Sequence, residues 1–144
     1  MICIQLMVRI QGWTFNKSIA LVLVAGYAML LFDIRSEHVD VVRHGWKPWI
    51  PIYYSGAMTV VGAVALAMWE RGGRQVLLFA FGASFIVGAL GFWFHTHGQP
   101  ISGVTTVLAA WTEPLHHKDA PPALAPLSFA GLGLLGVLTC TRVS

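Results

Sequence analysis

The stretch WIPIYYSGAMTVVGAVALAMWERGGRQVLLFAFGASFIVGALGFWF, residues 49–94, decides the fold. Its outer parts, 49–69 and 76–94, hold no charged residue, and Glu70, Arg71 and Arg74 cluster around Gly72 and Gly73 between them. A helix rises about 1.5 Å per residue and the hydrocarbon core of a bilayer is about 30 Å thick, so a crossing takes roughly 20 apolar residues. Both outer parts meet that length, and the Glu-Arg-Gly-Gly-Arg link between them is short enough to demand a tight turn. The pair reads as an antiparallel hairpin of two membrane-spanning helices.

Two more segments of the same kind flank the hairpin. Residues 15–32 begin with Asn16, Lys17 and Ser18 at headgroup depth and continue through the apolar run Ile19–Phe32. No small-x-small cleavage site follows that run, so it reads as a retained helix rather than a signal peptide. The fourth segment, 123–141, follows Pro121 and Pro122 and holds Pro126 near its start, where a helix tolerates proline because those N–H groups have no partner in the preceding turn. Composition agrees: 56% of the 144 residues are hydrophobic and 10% are charged, against about 25% charged in soluble domains. So few charges cannot cover a soluble core. The net charge of +3 comes without any Lys/Arg run, which gives nucleic acid nothing to bind. Cys3 and Cys140 lie far apart with no paired spacing, so neither a disulfide framework nor a thiolate zinc site follows. The fold expected is all-α, a single four-helix transmembrane bundle over residues 1–144, with the lipid bilayer as its partner.

Orientation follows from the flanks, because short positive flanks stay in the cytoplasm. One side carries Arg9, Lys17, Arg71, Arg74 and Arg142 with Glu70, and the other carries Arg35, Arg43, Lys47 and Lys118 with Asp33, Glu37, Asp40, Glu113 and Asp119. The bias puts both termini in the cytoplasm, with a bacterial inner membrane as the simplest setting. Trp13 and Trp69 mark one interface, and Trp46, Trp49, Trp93 and Trp111 the other, as expected of rings with an apolar body and a polar N–H. Trp49, Tyr53 and Tyr54 read as headgroup anchors. Small residues recur every four positions at Ser55, Thr59, Ala63 and Ala67 and at Ala80, Ser84 and Gly88; with Gly131, Gly133 and Gly136 they are expected to let helices approach within the bundle.

In this topology every histidine, His38, His44, His95, His97, His116 and His117, falls on the non-cytoplasmic side. A helical extension over 33–45 would place Asp33, Glu37, Asp40 and His44 within an arc of about 60°. Carboxylates and a neutral imidazole one turn apart suit a transition metal. His95-Thr96-His97 emerges from the third span beside that stripe. The loop 96–122 holds the apolar run ISGVTTVLAAW (101–111), too short to span and expected as an interfacial or re-entrant segment. It continues into Glu113 and His116-His117-Lys118-Asp119. Together these form a polar cap rich in histidine and carboxylate.

The function expected is binding of a transition metal, copper or zinc first and iron or manganese next, through Asp33, Glu37, His38, Asp40, His44, His95 and His97. The alternative is a structural or assembly subunit of a larger membrane complex, pairing with other membrane subunits or with a second copy. An enzyme acting on lipid or quinone is a weaker one. Haem has little support, because no histidine lies deep in a span. The H-x-x-x-H and H-x-x-H-H boxes of membrane di-iron oxygenases are absent, and no framed nucleophile exists.

Overall fold

The computed structural model describes residues 15–110 and 125–141. Five α-helices and no strand form among the described residues: α1 Phe15–Glu37, α2 Trp49–Ala67, α3 Gly73–His95, α4 Pro100–Ala110 and α5 Leu127–Thr141. The first three are each long and apolar enough to cross a bilayer. Within the most apolar stretch of these helices only 22% to 33% of residues are buried in the bundle, so most of their apolar surface needs an apolar solvent. That is the pattern of an integral membrane protein. With its 15 residues, α5 extends about 22 Å, less than the 123–141 span expected; residues 123 and 124 lie outside the described residues.

The chain runs up and down. α2 lies between α1 and α3, while α5 packs along α3 and also touches α1, so the four helices close a ring with α1 and α3 on its diagonal. The α2–α3 turn is tight: Trp69–Arg71 form a 3-10 turn, and Gly72 follows at φ 94°, in the left-handed region that glycine enters at no steric cost. α5 runs antiparallel to α3, from Pro126 against Gly91 to the carbonyl of Cys140, which accepts the Arg74 Nε–H at 2.6 Å. Gly136 makes this pairing close, since any Cβ there would enter the Phe81 ring.

The centre is aromatic with a polar thread. Tyr27 is fully buried, with the rings of Tyr54, Phe81 and Phe129 at 6.0, 6.1 and 6.0 Å between centroids. Its hydroxyl meets Ser84 Oγ at 2.6 Å, and Ser84 donates onward to the Phe129 carbonyl at 2.7 Å, so Tyr27 is the donor to Ser84. Tyr54 reaches in from α2 and donates to the Ala80 carbonyl. With no water in hydrocarbon, a buried hydroxyl must find such a partner or lose several kcal/mol, about 4–8 on a scale without hydrogen bonding. Three helices are thereby tied to α3.

Two expectations change. The small-residue row of α2 does not stay on the inner face: Ser55 is buried and Thr59 half-buried, but Ala63 and Ala67 are exposed. Four residues turn a helix by about 400°, so such a row drifts about 40° at each step; the buried set is instead Ile52, Ser55, Met58, Gly62, Ala65 and Leu66. In α3 the shorter row holds, with Ser84 and Gly88 buried, and in α5 Gly133 and Gly136 are buried while Gly131 is exposed. The helical extension over 33–45 also fails to form as one helix. α1 ends at Glu37, a turn follows, and Val41–Arg43 make a separate 3-10 turn. The segment His38-Val-Asp-Val-Val carries three β-branched residues and an aspartate, each of which lowers helix propensity.

Candidate functional site

At the end of the bundle where α1 and α3 stop, the chain builds a small ordered platform. Ile34 faces inward and is 9% exposed, whereas Asp33 and Glu37, one turn apart, both face outward. His38 follows Ile34 by four residues, shares its face and is half-buried. Its backbone N–H donates to the Ile34 carbonyl at 3.0 Å and its Nδ1 lies 2.9 Å from the same oxygen. A carbonyl only accepts, so Nδ1 carries the proton in this bond, and the Nε2 lone pair is the one left to face a ligand. The contact gives the Ile34 carbonyl a second donor beside the His38 N–H.

The next connection is pinned from two directions. The Trp49 indole N–H donates to the Val42 carbonyl at 3.2 Å, and Trp49 stacks on Tyr53 at 5.4 Å. Lys47 Nζ sits 5.0 Å from the centre of the Phe94 ring, a cation–π contact that ties this connection to α3. His44 is exposed, and its Nδ1 donates to the Asp40 backbone carbonyl at 2.9 Å. Asp40 and His44 thus meet through the main chain rather than through the carboxylate. The stripe of Asp33, Glu37, Asp40 and His44 is split between the helix and the turns that follow it.

The His95-Thr96-His97 segment divides its imidazoles. His95 is the last residue of α3 and is half-buried; Thr96 caps the helix, and His97 takes φ 51°. The Gly98 N–H bonds to the Trp93 carbonyl at 2.9 Å and the His97 N–H to the Phe94 carbonyl at 3.2 Å, the Schellman pattern with histidine in the left-handed position usually held by glycine. His97 is therefore turned out into the exposed turn. A left-handed conformation costs a residue with a Cβ about 1 kcal/mol. Replacing His97 by glycine should raise stability by about that amount and leave metal affinity unchanged; thermal unfolding and a metal titration check the two halves.

His38 and His95 are brought together. Their ring centroids lie 6.3 Å apart at an interplanar angle of 49°. Beyond them, α4 packs against the end of α3 at Gly103, where a Cβ would run into the Thr96 side chain. Of the apolar run expected to be re-entrant, 101–110 is helical as part of α4. Trp111, Glu113, His116, His117 and Asp119 lie outside the described residues. Among the described residues no three of His, Cys, Asp and Glu come together as a ready metal cage. The candidate site is a histidine pair, with Asp33 and Glu37 exposed on another face of α1. Both histidines were among the expected ligands, but spacing along the chain did not set this pair apart from Asp40 and His44, because its members come from elements that are diagonal in the bundle. The inward-facing Ile34 one turn before His38 is the signal that could have found it. Comparison with known proteins finds no family model, no curated protein and no solved structure that matches this chain.

Proposed function

We propose that this chain is a small integral membrane protein that holds a transition metal ion, copper or zinc, at the His38 and His95 end of its bundle. The observation that carries the reading is the pairing of those two rings. Two imidazoles on one ion, each with its nitrogen about 2.0–2.1 Å from the metal, put their centroids about 5–6.5 Å apart for bond angles from tetrahedral to linear; here they are 6.3 Å apart. The bond from His38 Nδ1 to the Ile34 carbonyl is the kind of outer-shell contact that fixes the tautomer of a ligating histidine. Copper and zinc suit an imidazole pair with oxygen donors. Water would complete such a site, which leaves positions open for exchange. The excess of Lys and Arg on the opposite flanks supports a site facing away from the cytoplasm and termini within it.

The test is titration of zinc(II) and copper(II) into the full chain in mild detergent, without a histidine tag, alongside His38→Ala and His95→Ala. About one ion per chain, bound at least tenfold more weakly by either variant, is the expected result; disturbing even an outer-shell partner has an effect of that size. Undiminished binding in both variants would remove the pair from the site. No binding by the parent chain would make this end a contact for another membrane subunit.

A further inference from the structure

A second feature lies at the opposite end of the bundle, far from the histidines. A groove of about 380 Å³ runs along the outside of the α2–α3 hairpin, walled by Val60 and Val64 of α2, by Met68 just after it and by Val76 of α3, with Arg71 of the connecting turn lining it as well. Those four wall residues are 66%, 55%, 47% and 46% exposed, so the groove opens outward rather than into the core. We propose that it is a binding site for one anionic phospholipid, an acyl chain lying along the valines and the headgroup phosphate held by Arg71.

Two properties separate such a site from the general lipid-facing surface. The first is shape. Valine is fixed at χ1 in a helix, so three valines wall a groove that exists before a chain enters it, and an acyl chain loses little further freedom of the protein on binding. Gly73 is buried and so close to α2 that a Cβ would strike the Ala65 carbonyl, which sets the narrow floor at the turn. The second is charge and depth. The turn joins two helices of spanning length, which puts Arg71 at headgroup level, where a guanidinium can take two phosphate oxygens at once. Arg71 is exposed, whereas its neighbour Arg74 is engaged with the Cys140 carbonyl. Glu70, also exposed and adjacent in the turn, opposes a second negative charge only in part, since the turn carries Arg71 and Arg74 against it.

The test is native mass spectrometry of the full chain in detergent micelles, supplied with equal amounts of phosphatidylglycerol and phosphatidylcholine. One phosphatidylglycerol should be retained in preference to phosphatidylcholine. Arg71→Gln should reduce its retention about fivefold, the factor that corresponds to one basic residue near an anionic surface, while Arg71→Lys keeps most of it. Val64→Trp, an exposed position at mid-groove, should displace the lipid with Arg71 intact; helicity by circular dichroism confirms that each variant is folded. Equal retention of the two lipids by the parent chain would overturn the proposal. So would undiminished phosphatidylglycerol in Arg71→Gln, or in both Val64→Trp and Val60→Phe.

Discussion

Replacing Tyr27 by alanine should cost the bundle about 3–5 kcal/mol, the range for deleting a buried aromatic ring. Helices in lipid are not driven together by the hydrophobic effect, because hydrocarbon tails are as apolar as leucine; packing contacts and interhelical hydrogen bonds hold them. Tyr27 supplies both at one point. It is fully buried, and its ring meets one aromatic ring from each of α2, α3 and α5. Such pairs contribute about 0.5–1.5 kcal/mol each beyond contact area. Its hydroxyl is the first link of the chain through Ser84 to the Phe129 carbonyl. Alanine removes the ring contacts and leaves a void that no lipid tail can enter. Phenylalanine removes the hydroxyl alone, and its cost should be near the average for a hydrogen bond between membrane helices, about 0.6 kcal/mol. Reversible unfolding in mixed micelles, followed by circular dichroism, gives both values. A loss under 1 kcal/mol for Tyr27→Ala would mean that the four helices do not meet at this residue.

The second large effect is on metal binding. Substituting His38 and His95 together with alanine should lower zinc or copper affinity by a hundredfold or more, on the expectation that each ligand contributes at least the tenfold of an outer-shell contact. The two losses should not be independent. Once one imidazole is gone the ion loses its bridge between α1 and α3, so each single variant should already lose most of the affinity and the double variant should be little worse than either single one. His44→Ala, at an exposed position whose Nδ1 bonds only its own turn, should leave affinity unchanged.

The bundle was legible from residues 49–94 because two uncharged runs of spanning length around Glu70–Arg74 leave little choice of structure in a bilayer. Helix ends were less legible. Apolar periodicity does not mark where α1 stops in water, and the β-branched cluster Val39, Val41 and Val42 was a weaker sign than the i, i+4 spacing of charges. Depth misled at Tyr54. Beside Trp49 and Tyr53 it reads as an interface anchor; Tyr53 does lie at the surface on Trp49, while Tyr54 turns inward to the Ala80 carbonyl. A tyrosine in the middle of the run Ile19–Phe32 was the better clue, since a phenol at that depth needs a partner within the protein.

At the candidate site the sequence named a broader set of residues than the structure gathers. Spacing favoured Asp40 and His44, which would share a face only if α1 continued through them. The structure pairs His38 with His95 instead, because Ile34 orients one turn of α1 toward the diagonal helix. Asp33 and Glu37 lie exposed on another face of α1, and His97, itself in the left-handed conformation just after α3, is exposed. No spacing rule within one segment finds two histidines that come from elements 57 positions apart in the chain.

X-ray absorption at the metal edge of the zinc- or copper-loaded chain tests the central claim most directly. The account predicts scattering from two imidazoles at about 2.0–2.1 Å with oxygen donors completing the shell, falling to one imidazole in His95→Ala. A shell of oxygen alone, or two imidazoles that persist in His95→Ala, would contradict it.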